Sequence, residues 1–169
     1  MAQAMRGSKL EVAKRPLHIL VVDDNLPLLQ FLELLLEANG YQTTAASSPL
    51  QAALLAQSHR FDALITDLRM PHLNGHQLLN EVRQLRFNRH MPVLFISGQA
   101  TNEFPELHSL ELAHYLRKPF SGNDLLASLE QLLQMRSRLR HAEIQRHANE
   151  RGRDHPPLID YQTIPSPGI

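Results

Sequence analysis

Short apolar runs alternate with longer segments of helical period from residue 17 onward. Three of the runs are almost continuously apolar, which is typical of parallel strands covered on both faces. The predicted strands are Ile19–Val22, Gln42–Ala46, Ala63–Thr66, Val93–Ile96 and His114–Leu116. Because strands that alternate with helices form βαβ units with right-handed crossovers, the pattern predicts a parallel sheet.

The segments between the runs carry signals for the start and the end of helices. The first predicted helix begins after Asp24-Asn25 and ends at Asn39-Gly40, the second begins at Ser48-Pro49, and the third follows Gly75. The fourth covers about Thr101 to Leu112. The fifth runs from Ser121 to about Arg146, and Asp124 completes a capping box at its start. Pro105 is tolerated only in the first turn of the fourth helix. Together the elements predict a doubly wound α/β domain with a five-stranded parallel sheet.

Composition and charge exclude several classes of protein. The absence of cysteine excludes a disulfide scaffold and thiol chemistry, and it fits a cytoplasmic protein. No apolar run approaches the roughly 18 residues of a membrane span, and the first residues lack the apolar core of a signal peptide. Residues 17–134 carry seven basic and twelve acidic side chains, which argues against DNA binding by the central domain.

Polar side chains follow the apolar runs at the end of the sheet where ligands bind in this architecture. Asp23 and Asp24 follow the first strand, Asp67 the third, Ser97 the fourth and Lys118 the fifth. Three adjacent carboxylates repel one another and favour a divalent cation, for which Mg²⁺ is the natural choice. An aspartate beside such an ion can attack phosphorus, so the pattern predicts transfer of a phosphoryl group to a carboxylate.

The chain carries four motifs in the order VVDDN (21–25), ITDLRMPHLNG (65–75), FISG (95–98) and YLRKPF (115–120). Together they resemble the receiver domain of bacterial two-component response regulators, and the resemblance covers about Leu17 to Leu133. It implies the flavodoxin-like (βα)5 fold of chemotaxis regulators, with strand order 2-1-3-4-5. Between Gly98 and Tyr115 the chain departs from the family pattern, since Glu111-Leu112-Ala113-His114 stands where receivers often carry a Gly-Ala pair.

The resemblance also implies a role for each matching residue. Asp67 would be the phospho-acceptor, and Ser97 and Lys118 would contact the phosphoryl group. Mg²⁺ would be held by Asp24 directly, by Asp23 mainly through water, by Asp67 and by the backbone carbonyl of Arg69. Ser97 and Tyr115 would form the switch pair, Lys118-Pro119 would be a cis peptide bond, and Gly75 would occupy a turn whose conformation is costly for other residues.

The implied function is signalling rather than metabolic catalysis. A sensor histidine kinase or histidine phosphotransfer protein would phosphorylate Asp67, and the chain would catalyse only this transfer and its own dephosphorylation. Ser97 would then move inward and Tyr115 would turn. The surface of the fourth helix, fifth strand and fifth helix would consequently change its downstream protein partners, among them a second copy of the chain.

Two other classes of function compete with this interpretation. A phosphatase of the haloacid-dehalogenase type needs a second aspartate two residues after the nucleophile, and Arg69 occupies that position. The second alternative is a protein-interaction module that has lost phosphorylation. The intact acidic residues, the hydroxyl of Ser97 and the ammonium group of Lys118 argue against it. A zinc site at His72 and His76 is disfavoured because Asn74-Gly75 would interrupt the helix that their spacing requires.

The flanks of the domain allow two kinds of architecture. Residues 1–16 form an N-terminal extension that could have been added for expression, residues 17–134 the receiver domain, and 135–169 a helical overrun with a disordered tail. This C-terminal part is too short for a helix-turn-helix effector, so the chain is either a lone receiver or part of a larger regulator or hybrid kinase. Leucines 125, 132 and 139 are spaced by seven residues, as in a coiled coil, but Arg146 occupies the next position of this spacing. Core packing is therefore the preferred role of the first two leucines.

Overall fold

The computed structural model of the protein describes residues 15–98 and 110–153, with side chains described as far as residue 148. The elements in chain order are β1 His18–Val22, α1 Leu26–Ala38, β2 Gln42–Ala46, α2 Pro49–Ser58, β3 Ala63–Asp67, α3 Gly75–Gln84, β4 Val93–Ser97, β5 Ala113–Arg117 and α4 Gly122–Arg153. None of the described helices has an apolar stretch long enough to cross a membrane.

The five strands form one sheet in the order β2-β1-β3-β4-β5, and every neighbouring pair is parallel. The predicted doubly wound fold and its strand order are therefore confirmed. The three central strands, β1, β3 and β4, are almost completely buried, whereas the edge strands β2 and β5 are partly exposed. The nearly continuous apolar runs of the sequence are the strands covered on both faces.

Each face of the sheet carries its own apolar core. On one face, α1 and the start of α4 place Leu32 and Leu129 in one cluster with Ile65 of β3. On the other face, α2 and α3 contribute to a second cluster that contains Phe95. Successive strand residues point to opposite faces, so each central strand supplies side chains to both clusters.

Local sequence signals account for most of the helix ends. The N–H of Leu28 donates to Asn25 Oδ1 at 3.1 Å, and the N–H of Gln51 donates to Ser48 Oγ at 3.2 Å. Gly40 follows α1 at φ +83°, a conformation that favours glycine. At α4, the predicted capping box is present, because Ser121 and Asp124 exchange hydrogen bonds between side chains and backbone N–H groups (Ser121 N–H to Asp124 Oδ2, 2.9 Å; Asp124 N–H to Ser121 Oγ, 3.2 Å).

Two of the predicted helix ends are wrong. Helix α4 continues to Arg153 rather than ending near Arg146, because the arginine, glutamate, glutamine and alanine residues that follow keep a high helix propensity after the apolar stripe has faded. The predicted fourth helix does not reach Leu112, which lies in a turn at φ +56°. The rest of that helix falls on residues 101–109, which lie outside the described residues, as do most of the N-terminal extension and the tail after 153.

Contacts within the chain divide the protein into two compact units. The first ends at Leu133, and the second begins at Gln134. The sheet and both apolar clusters belong to the first unit.

Asn88 is a buried polar residue that holds the end of α2 and the start of the next segment together. Its Nδ2 donates to the carbonyls of Ala56 (3.0 Å) and His59 (3.3 Å), and its Oδ1 accepts from the N–H of Phe61 (3.2 Å). The side chain thus satisfies backbone groups that the fold buries.

Replacing Asn88 by alanine is expected to lower the free energy of unfolding by about 2–3 kcal/mol, since the buried backbone groups lose their partner. Urea titration of the purified chain would measure the change. Arg89→Ala, in the same turn but exposed, is the matched control and should change the stability by less than about 0.5 kcal/mol. Equal effects of the two substitutions would contradict this role for Asn88.

A polar cluster closes the amino-terminal end of the sheet, opposite to the strand ends that carry Asp23 and Asp67. Asp62 is 4 % exposed and accepts from both terminal nitrogens of Arg15, at 2.8 and 3.1 Å, and from the N–H of His18 at 2.9 Å. The His18 ring shares a 2.8 Å hydrogen bond with Thr44 Oγ1. This cluster joins the segment before β1 to β2 and β3.

The surroundings of His18 disfavour its charged form. Burial lowers the pKa of His18 below its usual 6.5, the positive charge of His59 lowers it further, Asp62 opposes the change, and Arg15 adds to it. The unfolded chain therefore binds this proton more readily than the folded chain does.

We expect the stabilising contribution of neutral His18 to be complete above pH 6.5 and to be lost as the pH falls through the lowered pKa. His18→Gln keeps a side chain that can bond to Thr44 but removes the titration. Between pH 7.5 and pH 5, the free energy of unfolding should therefore fall more steeply for the parent chain than for His18→Gln. Identical slopes in denaturant titrations would refute this.

Candidate functional site

The ammonium group of Lys118 lies between two carboxylates at the carboxyl end of the sheet. Its Nζ donates to Asp67 Oδ2 at 2.5 Å and to Asp23 Oδ2 at 3.1 Å. Asp67 is the last residue of β3, Asp23 follows β1, and Lys118 follows β5. Because parallel strands end at the same edge of a sheet, residues separated by 51 and 95 positions meet here.

Backbone N–H groups fix the other oxygen of each carboxylate. The N–H of Arg69 donates to Asp67 Oδ1 at 2.9 Å, and the N–H of Asn25 donates to Asp23 Oδ1 at 2.8 Å. Each donor lies two residues beyond its acceptor, in the loop that leaves the strand. Both carboxylates are therefore oriented before any ligand arrives.

Burial makes this pair of carboxylates dependent on a cation. Asp23 is 1 % exposed, and burial raises its pKa, although the hydrogen bond from Asn25 and the charge of Lys118 oppose the rise. Burial alone would lower the pKa of Lys118, but its hydrogen bond to Asp67 and the charges of both aspartates outweigh this and raise it. Lys118 consequently remains charged at neutral pH and compensates negative charge that the site cannot expose to water.

Gly75 is required by close packing, which corrects the reason predicted from the sequence. A Cβ atom at this position would lie 2.3 Å from the carbonyl oxygen of Asp67. Its φ is not in the left-handed region, where among the described glycines only Gly40 lies. Helix α3 thus begins directly against the backbone of Asp67, and any side chain at Gly75 would displace it.

The remaining predicted residues lie on β4, on β5 and in the loop that follows β5. Ser97 is the last residue of β4, is 5 % exposed, and accepts the N–H of Lys118 at its carbonyl at 2.8 Å. Tyr115 of β5 is half-buried and stacks on Phe95, with the ring centroids 5.3 Å apart. The Lys118-Pro119 bond is cis, as the resemblance implied.

The carboxylates supply oxygen donors of the kind that Mg²⁺ takes, but they do not all converge. Asp23 and Asp67 share Lys118, whereas Asp24 is exposed. Within the described residues, no three histidine or acidic side chains are arranged as a metal-binding group. One or two carboxylates, a carbonyl and water suffice for Mg²⁺, so Asp67, the carbonyl of Arg69 and a carboxylate of the Asp23-Asp24 pair fit such an ion.

His72 and His76 lie on different local structures. His72 is in the loop before α3 at φ +72°, and His76 is in the first turn of that helix. Asn74 caps α3 between them.

Two supporting features were not predicted from the sequence. Asn74 and Gln77 form a capping box at α3, which the N-x-x-Q spacing could have revealed. Arg83 of α3 donates to the carbonyls of Met91 (3.1 Å from Nε, 2.9 Å from Nη2) and Glu111 (2.8 Å). These carbonyls precede β4 and β5, so Arg83 fixes the segments that enter the two strands carrying Ser97 and Tyr115. No local sequence pattern predicts such a contact.

The fold and this centre define a family. The family model described as response regulator receiver domain matches residues 19–130. The chain therefore belongs to the response regulator receiver domain family. Receiver domains are signalling domains of two-component systems rather than classical enzymes.

Curated relatives agree with this assignment. The response regulator SaeR of Staphylococcus aureus is 26 % identical over 130 residues, which cover 76 % of this chain and 55 % of SaeR. The chain thus spans about half the length of the curated relatives it matches.

Solved structures of similar proteins cover the same region. The chemotaxis response regulator CheY4 of Vibrio cholerae is 27 % identical, with a TM-score of 0.65 over 69 % of this chain and 98 % of CheY4. The receiver domain of the sensor histidine kinase PA1611 of Pseudomonas aeruginosa is 29 % identical, with a TM-score of 0.62 over 70 % of this chain and 98 % of that domain. The PA1611 structure has a magnesium ion coordinated in its active site cleft.

Lys118→Met is expected to lower the free energy of unfolding by about 1–3 kcal/mol in metal-free buffer at neutral pH, because it leaves buried Asp23 without its ammonium partner. Adding Asp23→Asn to this variant should restore part of the loss, since the uncompensated charge is then removed. Arg117→Met, one residue earlier and exposed, is the control. Thermal or urea unfolding would compare the parent chain with the three variants. A Lys118→Met chain as stable as the parent chain would contradict the coupling between Lys118 and Asp23.

Proposed function

We propose that this chain is a phosphorylation-controlled receiver in which Asp67 accepts a phosphoryl group from a histidine. The observation that carries the proposal is the double contact of Lys118 Nζ with Asp67 and Asp23. It brings an oriented carboxylate, a cation and a buried acidic partner to one point at the carboxyl end of the sheet. The donor is a sensor histidine kinase or a histidine phosphotransfer protein.

In the transfer, an Asp67 carboxylate oxygen attacks the phosphorus of phosphohistidine. The new O–P bond forms as the N–P bond breaks, and the histidine nitrogen leaves with the electron pair. Lys118 then contacts a phosphoryl oxygen and compensates its charge, and Ser97 donates a hydrogen bond to another. Water later hydrolyses the acyl phosphate, which resets the domain.

Mg²⁺ would be held by Asp24 and Asp67, by the carbonyl of Arg69, and by Asp23 mainly through water. When bound, it supplies positive charge that neutralises the incoming phosphoryl group. Asp24 is exposed, whereas both carboxylate oxygens of Asp23 already accept hydrogen bonds, from the N–H of Asn25 and from Lys118, which supports direct contact by Asp24 and water-mediated contact by Asp23.

The response to phosphorylation would start at the ends of β4 and β5. Ser97 would move toward the phosphoryl group, and Tyr115 would leave its stacked position on Phe95 and turn into the vacated space. A shift from 1 % to 99 % active requires about 5.5 kcal/mol of differential stabilisation, which a few charge-assisted hydrogen bonds can approach. The surface around β5 would then bind different protein partners.

Intact-protein mass spectrometry after incubation with acetyl phosphate tests the proposal. The parent chain should gain one phosphoryl group with Mg²⁺ and much less without it, because the ion offsets the charge of the reactants. Asp67→Asn should gain none. Asp62→Asn changes a buried aspartate at the opposite end of the sheet and should still be labelled, provided that circular dichroism shows it folded.

Absence of an adduct on the folded parent chain would favour a phosphorylation-independent interaction module. Equal labelling of the parent chain and Asp67→Asn would place the acceptor elsewhere and would also contradict the proposal. Multiple turnovers with an added phosphoester would instead indicate a phosphatase, which Arg69 in the position of the general acid argues against.

A further inference from the structure

Helix α4 changes its surroundings at the end of the first unit. Leu125 and Leu132 belong to the apolar cluster and are 0 % and 1 % exposed. Leu139, seven residues after Leu132, is 42 % exposed. The preferred core role of the first two leucines is confirmed, whereas the third continues the same stripe at an exposed position.

The exposed part of the stripe has the spacing of a coiled-coil seam. Met135, Leu139 and Ala142 follow Leu132 at intervals of three, four and three residues, which are the core positions of successive heptads. All three are exposed in the second unit, and Met135 is 44 % exposed. Arg146 stands at the next core position, so the apolar seam ends at Ala142.

The charges beside the seam fit a second copy of the same helix. Arg138 and Glu143 occupy flanking positions of the heptads, five residues apart. In a parallel, in-register pair of helices these two positions face each other across the seam, once on each side. Within one helix, residues five apart do not face each other, and within the described residues neither forms an ion pair.

We propose that residues 134–148 of α4 pair with the same segment of a second chain as a short, parallel two-stranded coiled coil. Leu139 packs against the partner's Leu139, and Arg138 pairs with Glu143 of the partner subunit. The parallel register matches all three apolar residues with their own copies. An antiparallel register would set Met135 against Arg146, and would therefore lose apolar contact.

The proposed seam shares no residue with the proposed acceptor site, so each can be changed without substituting the other. Because the seam has only three apolar residues per chain, the dimer belongs with small interfaces whose assembly depends on protein concentration. The output of the protein would then depend on its abundance as well as on its signal.

Sedimentation equilibrium of the full chain, from about 1 µM to about 1 mM, tests whether this dimer forms. The parent chain should move from monomer to dimer over that range. Leu139→Glu should weaken the association at least about tenfold, because it places two charges in the seam. Ile144→Glu introduces the same charge at a residue that is 59 % exposed and off the seam, so it should leave the association unchanged.

Charge exchange tests the register. Arg138→Glu and Glu143→Arg, each alone, should weaken self-association because like charges then face each other. The double exchange should restore it, and an equimolar mixture of the two singly substituted chains should form a mixed dimer. Rescue of this kind cannot come from within one helix, since the two positions are not neighbours there.

Crosslinking provides a second measurement in a chain without cysteine. Oxidised Leu139→Cys should form a disulfide dimer readily, and Ile144→Cys should not. A monomer at every concentration, equal effects of Leu139→Glu and Ile144→Glu, or absence of charge-exchange rescue would overturn the proposal. A dimer that Leu139→Glu leaves intact would assign the contact to another surface, and would overturn it as well.

Discussion

The Lys118 ammonium group holds together three segments of chain that meet only because the strands are parallel. Its hydrogen bonds to Asp67 and Asp23 connect the ends of β3 and β1 to the loop after β5. The buried carboxylate of Asp23 is costly without this positive charge. The same contact therefore compensates the buried charge of Asp23 and, in the proposed function, organises the site that a phosphoryl group or a cation would enter.

The backbone of helix α3 lies directly against the backbone of Asp67. Gly75 leaves room for the first turn of α3 to touch the carbonyl oxygen of Asp67. From the same helix, Arg83 reaches the segments that enter β4 and β5. Through these contacts, α3 touches both the backbone of Asp67 and the segments that enter the strands carrying Ser97 and Tyr115.

The two ends of the sheet differ in how the charges of their acidic side chains are compensated. At the amino-terminal end, Asp62 accepts hydrogen bonds from Arg15 and from the backbone N–H of His18. At the carboxyl end, Asp23 and Asp67 share one ammonium group, which leaves an excess of negative charge. Two carboxylates that share one ammonium group favour a further cation, as expected for a ligand site rather than for a purely structural ion pair.

The sequence alone determined the elements, the doubly wound class and the residues of the centre, because the apolar periodicity of each strand and the motif at its end are local properties. The reason predicted for Gly75 was wrong, because this residue is needed for a contact with Asp67 that no local pattern shows. The contacts of Asn88 and Arg83 were not predicted, since both side chains bond to backbone groups far along the chain. The end of α4 was missed because the apolar stripe and helix propensity stop at different residues. Only the tertiary structure decided that Lys118 joins two of the three aspartates and leaves Asp24 in solvent, since that choice depends on distances between strand ends that no single segment encodes.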